Sequence, residues 1–275
     1  QVLAIDMGGT KIALGIVEND MLLDKMEIKV PKETNKQALL SLFTDAIDQV
    51  IGSQITSIGI GVPGLVDKAN GVIYDLLNVP SWSEVGLGEH LKTKYELPVY
   101  IDNDANCFAL AEYYLGKHKV RELVGLALGT GLGAGIISNG RLVNGRSGGA
   151  GEFGMIPYLD HFIEYYACGQ FFENVHGIKG DEVYAKAQRG DQHALSLYEE
   201  LGHHVGHAMS IIRLAVDPGM IVLAGSVAKG FEYFKEAMWE RLSKHPFPSA
   251  TKSIEIKVSK LENAPLMGAS CLCKP

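Results

Sequence analysis

An α/β fold of two related lobes is predicted by three features of this chain. Strand-like apolar runs alternate with segments of helical periodicity. The pattern strand, glycine turn, strand occurs at Asp6 to Ala13 and again at Leu128 to Ile137. The 275 residues exceed one minimal domain and fall short of three.

The first element is VLAID-MGGTK-IALGIV, two β-rich runs joined by a glycine pair, which predicts a tight hairpin rather than a strand-to-helix crossover. Residues 22 to 30 predict a third strand. Residues 36 to 51 predict a helix, because Leu39, Leu40, Leu42, Phe43, Ala46, Ile47, Val50 and Ile51 recur at helical spacing. A strand over 58 to 62, the Pro63-Gly64 turn and an irregular stretch with Asn70-Gly71 follow. A strand over 99 to 101 then leads into a helix from Asp104 to Leu115. After a polar and basic segment, 116 to 121, the strand 123 to 128 opens a second unit with its own glycine turn and a hairpin over 133 to 143. Helices are predicted over 181 to 189, 192 to 216 and 231 to 243, with strands over 220 to 224 and 254 to 258.

Composition narrows the function. With 47% hydrophobic and 21% charged residues the chain can bury a full core. A net charge of -7 and no Lys/Arg stripe argue against a nucleic-acid groove, which needs concentrated positive charge. Apolar runs such as Met220 to Ala224 are far too short for a membrane helix. No secretory pattern stands at the start, and the four cysteines include only one close pair, Cys271 and Cys273, so a cytoplasmic protein with reduced thiols is expected.

The two glycine turns carry the chemistry. Asp6, Gly8, Gly9, Thr10 and Lys11 place a carboxylate at a strand end, then backbone N–H groups open to an anion, then a hydroxyl and an ammonium. Such a turn suits phosphate, and the carboxylate suits Mg²⁺; a Gly-Gly hairpin is also often a turn and nothing more. The second turn, Gly129, Thr130, Gly131, superficially continues as a dinucleotide fingerprint, but a strand and an Asn-Gly hairpin follow it instead of a helix. The run Asn103 to Asn106, taken by itself, reads as a helix N-cap.

Taken together, DMGGTK, GVPGLVD, DNDAN, LGTGLGAG and GGAGEFG stand in the order and at the spacing of the ROK family of bacterial sugar kinases and sugar-responsive repressors, which the whole chain resembles. The resemblance implies a two-lobed actin-like ATPase fold of the hexokinase and ribonuclease H type, with ATP and Mg²⁺ bound in an interlobe cleft. It implies lobes of 1–117, joined by a C-terminal helix at about 264–275, and 118–263. Asp104 stands at the position of the family's catalytic base. Gly64, Asn78, Asn103, Glu152 and Glu173 match sugar-contact positions, Gly225 the adenosine-side turn, and Asp6 the Mg²⁺ position, reached through water. A homodimer is implied as well.

One departure bears on the reading. The family's zinc is held by a His after AGE-x-G and by three cysteines, but Met155 takes the His position and YYACGQFFEN keeps only Cys168 and Gly169. One donor is too few for a closed tetrahedral site, so zinc is expected to be absent. The aromatic residues Phe162, Tyr165, Tyr166, Phe171 and Phe172 are expected to bury area in its place. His203, His204 and His207 lack a matched carboxylate motif and are expected to be ordinary satisfied or solvated histidines. The function expected is an ATP-dependent kinase phosphorylating a hexose, O6 of glucose first. An N-acetylmannosamine or N-acetylglucosamine kinase is the alternative within the class. A repressor body lacking its DNA-binding domain is the alternative outside it, since only five residues precede Asp6.

Overall fold

The computed structural model describes residues 1–31, 35–74, 84–244, 246–247 and 253–274. The chain forms two units, one of Gln1–His118, Leu142–Ala150 and Leu261–Pro275, the other of Lys119–Arg141 and Gly151–Lys260.

In the first unit β1 (Val2–Met7), β2 (Lys11–Glu18) and β3 (Met21–Lys29) form an antiparallel meander. The helix α1 (Lys36–Val50) begins at Asn35, whose side chain accepts the Ala38 N–H at 2.8 Å, and buries Leu39, Phe43, Ala46 and Ile47 along one face. The strand β4 (Ser57–Val62) is buried at every residue, as a central strand covered on both faces must be. A small antiparallel sheet of β5 (Leu65–Asp67), β6 (Val72–Tyr74) and β7 (Glu84–Val85) follows.

Where the sequence reads as irregular, the structure has a helix, α2 (Leu87–Tyr95). Gly86 gives it no side-chain cap and Gly88 lowers its propensity; the packing of buried Leu87 and Leu91 makes it helical. Next, β8 (Val99–Asn103) runs directly into α3 (Asp104–Leu115), so the strand is longer than expected and carries Asp102 and Asn103 itself. The main sheet has the order β3-β2-β1-β4-β8, with β1, β4 and β8 parallel.

A second five-stranded sheet repeats this order. The strands β9 (Leu123–Leu128), β10 (Leu132–Ser138), β11 (Arg141–Val143), β14 (Met220–Ala224) and β15 (Glu255–Val258) form the sheet β11-β10-β9-β14-β15. Here β9, β14 and β15 are parallel and β10 is antiparallel to β9. Between β11 and β14 along the chain come the two-stranded ribbon β12 (Pro157–Tyr158) and β13 (His161–Phe162) and the helices α4 (Ile163–Tyr166), α5 (Phe171–His176), α6 (Gly180–Ala187) and α7 (Gln192–Val216). Asp191 caps α7 by accepting the Ala194 N–H at 2.8 Å, and α7 packs along α8 (Phe231–Ser243).

The chain returns to the first unit as α9 (Ala264–Cys271). Ala105 to Glu112 of α3 are all buried, with β4 and β8 meeting the helix and α9 packing along it. The approach is close enough that a Cβ on Gly268 would lie 1.7 Å from the Cys107 carbonyl oxygen. No helix among the described residues is long and apolar enough to cross a membrane.

Candidate functional site

The first glycine turn is a hairpin, as the strand-turn-strand pattern requires: Met7 pairs with Ile12, and the Gly8 N–H donates to the Lys11 carbonyl at 2.8 Å. Thr10 and Lys11 are exposed on it, and Lys11 Nζ lies 3.1 Å from Glu27 Oε1. Asp6 sits at the end of β1, where burial pushes its carboxyl up to about 6 against the opposing pull of Lys11 and Lys25. A desolvated carboxylate of this kind fits a hard cation, which returns the stabilisation that water no longer provides.

At the β8–α3 junction Asn103 is the helix cap, accepting the Ala105 N–H at 2.8 Å on its side-chain oxygen. Its amide donates to the Gly64 carbonyl at 3.0 Å, which ties the Pro63-Gly64 turn to the junction; Gly64 has a φ of 117°. Asp104, half-buried, is the first helical residue, and its Oδ1 also accepts the Ala105 N–H at 2.8 Å. Cap and carboxylate are therefore both present, and one reading does not displace the other. The fully buried Cys107 thiol is raised well above its ordinary pKa, by burial first and then by the charges of Asp102, Asp6 and Asp104. These three carboxylates thus converge on one region of the first unit.

In the second unit Leu128 pairs with Leu132, and the Gly129 N–H donates to the Gly131 carbonyl at 3.0 Å, so this turn too is a hairpin and not the start of a helix. Gly225, with a φ of 94°, follows β14 against it, where a Cβ would stand 2.2 Å from the Leu128 carbonyl oxygen. A side chain would need both a left-handed backbone and space that is already filled. Glu152 precedes a short 3₁₀ turn, Phe153–Met155. Though it is exposed, its carboxyl is raised, first by the water that neighbouring protein displaces and then by the charge of Glu164. Glu173 is exposed in the first turn of α5, and Asn78 lies outside the described residues.

Some functional-looking residues were not visible in the sequence. Glu164 Oε2 accepts the Leu132 N–H at 2.7 Å, the Gly169 N–H donates to the Gly129 carbonyl at 2.8 Å, and the Cys168 thiol donates to the Thr130 carbonyl at 2.9 Å. Three bonds thus stitch α4 and its following loop to the second glycine turn. In the first unit Asp102, 1% exposed, gathers Lys68 and Asn144. Only the DND run hinted at Asp102; its partners lie too far away in sequence to leave a signal.

The donors present do not fit a zinc site. Cys168 is buried with its thiol engaged, Met155 is 42% exposed, and no group of three or more His, Cys, Asp or Glu able to hold a metal occurs among the described residues. Phe171 and Phe172 are buried as expected, whereas Phe162 is 49% exposed: it lies on the two-residue strand β13 at the surface and contributes no core. His204 and His207 are satisfied histidines. The Tyr158 ring stacks on His207 at 4.2 Å, the Tyr158 hydroxyl lies 3.2 Å from His204 Nδ1, and Arg241 lies 2.7 Å from His207 Nδ1.

Two sheets of one strand order, each opening on a glycine hairpin, are the plan of the actin-like ATPase fold. Within that class the chain belongs to the ROK family, whose model matches residues 2–275. It is 27% identical to a glucokinase of Halalkalibacterium halodurans, over 98% of this chain and 94% of that one. It is 32% identical to an N-acetyl-D-glucosamine kinase of Escherichia coli, over 94% of this chain and 92% of the relative. Among solved structures, a ROK family glucokinase of Streptomyces griseus in complex with glucose and AMPPNP superposes with a TM-score of 0.83 at 25% identity, over 98% of both chains.

Proposed function

We propose that this protein is a sugar kinase that moves the γ-phosphoryl group of ATP to a hexose hydroxyl, O6 of glucose first. The observation that carries the reading is the β8–α3 junction. There Asn103 and Asp104 meet at a helix N-terminus, tied to the Gly64 turn, in a chain related over nearly its whole length to a glucokinase and an N-acetylglucosamine kinase.

A sugar hydroxyl becomes an adequate nucleophile when a carboxylate accepts its proton, and Asp104 takes that role. Phosphoryl transfer asks little other covalent chemistry of the protein, so the remaining residues position groups and stabilise charge. Asn103, with a donor and an acceptor on one amide, holds sugar hydroxyls together with Gly64, Asn78, Glu152 and Glu173. The Gly9 and Thr10 backbone N–H groups, with Gly8 leaving room for close approach and the Lys11 ammonium beside them, take one part of the phosphate chain, and the turn Gly129, Thr130 and Gly131 takes another. Gly225 leaves room for the adenosine. Asp6 holds Mg²⁺ through water; the ion, when bound, neutralises phosphate charge. The protein acts in the cytoplasm as a homodimer, and sedimentation velocity tests the second part of that statement.

Release of ADP on addition of glucose tests the proposal, with polyphosphate as the competing donor. Asp104→Asn is expected to lower kcat about 10²- to 10⁴-fold with little change in sugar binding. An equal loss of both would remove Asp104 from the role of base. The 32% identity to the E. coli enzyme supports a second reading, an N-acetylhexosamine kinase, and the ratio of kcat/KM for glucose and N-acetylglucosamine decides between them.

A further inference from the structure

We propose that Asp102 is a positioning residue of this site, a buried clip that Lys68 and Asn144 hold in place and that fixes Asn103 and Asp104 for the sugar hydroxyl. The inference rests on the kinase reading above and concerns how that site is kept in register.

Asp102 collects four donors. Its Oδ1 accepts the Asn103 N–H and the Asn106 side-chain amide, each at 2.8 Å. The Asn144 amide reaches both oxygens, at 3.0 and 2.9 Å, and Lys68 Nζ lies 2.6 Å from Oδ2. Lys68 also donates to Asn144 Oδ1 at 3.4 Å. The donors come from three separate stretches of the first unit: the β5–β6 turn, the β8–α3 junction and the segment 142–150.

The geometry exceeds what holding the fold requires. Taking a carboxylate out of water to pair it with a solvent-reached ammonium seldom stabilises more than an apolar packing of the same volume would. Here the arrangement also leaves Asn106 Oδ1 buried without a hydrogen-bond partner, a cost incurred in turning the Asn106 amide toward Asp102. What the carboxylate secures is the backbone of Asn103, one residue before Asp104, at a junction where strand becomes helix with no intervening loop. A displacement of Asn103 there carries directly into Asp104. Lys68 sets the clip from a partly open position, its side chain 41% exposed, so it can be changed without opening the core.

The test is Lys68→Met, with Lys68→Arg and Asp102→Asn beside it, read by steady-state kinetics and by hydrogen exchange over residues 100–108. Lys68→Met is expected to lower kcat about 10- to 100-fold, the cost of a misplaced reacting group, with the sugar KM within about threefold of the parent. Lys68→Arg should restore kcat to within about threefold. Exchange at the amides of Asn103 and Ala105 should quicken by about tenfold or more in Lys68→Met and Asp102→Asn, because opening there becomes easier. Unchanged exchange, an unchanged kcat, or a KM rise as large as the kcat fall would each overturn the clip. A parent protein that turns over no sugar would instead overturn the kinase reading, and the exchange data would still decide the clip.

Discussion

Glu164 joins two turns of the second unit through a single carboxylate. Its Oε2 accepts the Leu132 N–H and stands where a Cβ on Gly131 would come within 2.5 Å of it, and its Cβ would lie 3.3 Å from one on Gly154, in the turn after Glu152. Removing the side chain leaves a partly buried N–H unpaired and frees the turn proposed to hold phosphate. Glu164→Ala is therefore expected to raise the KM for ATP about tenfold, the value of one hydrogen bond to a charged group, while the KM for sugar moves less. Separate titrations of the two substrates check this. Residues of this kind are what the sequence conceals. Asp6, Asn103 and Asp104 announce themselves because their chemistry is written in contiguous runs, whereas Glu164, Lys68 and Asn144 act on partners 32, 34 and 42 residues away. An isolated Glu or Lys has no local signature beyond surface polarity.

Among the elements, legibility follows from local pattern. Both glycine hairpins, α1, α3 and the 25-residue α7 could be read from alternation and periodicity. The nine-residue α2 could not, because it contains a glycine and shows the core little beyond Leu87 and Leu91. The segment 142–150 clusters with the first unit by contacts such as that of Gly148 with Val66, which nothing in its own composition declares. The seating of α9 is likewise tertiary. Gly268 stands so close to the Cys107 carbonyl that a methyl group cannot fit without moving one helix off the other. Gly268→Ala is expected to cost about 1–3 kcal/mol through overpacking, although alanine is the better helix former in isolation. Urea unfolding of the two proteins measures the difference, and a stabilised variant would show that α9 is free to shift.

For the molecule as a whole, the segment from Tyr158 to Phe172 packs ring on ring against α7, and its stability should depend on pH. Phe171 and Phe172 are buried, and Tyr158, Tyr166, Phe171 and His204 meet ring to ring within 6 Å. Burial lowers the pKa of both His204 and His207 from the ordinary 6.5; for His204 the pull of Glu200 opposes this, and for His207 the charge of Arg241 adds to it. His203 and His176 also press His204 downward. The sign follows from linkage. Above about pH 6.5 neither the folded nor the unfolded chain protonates these rings, and their contribution is complete. Below it the unfolded chain takes up protons that the folded chain refuses, and stability falls until the pH has passed the folded values. Each histidine can add at most about 1.4 kcal/mol per pH unit to the slope, and solvent reaching the ring edges reduces that. Urea midpoints at pH 7.5, 6.5 and 5.5 should therefore drop more steeply in the parent than in a His204→Gln, His207→Gln double variant. Parallel pH dependences would mean that both rings protonate in place, and that the stack of Tyr158 on His207 tolerates a charged imidazole.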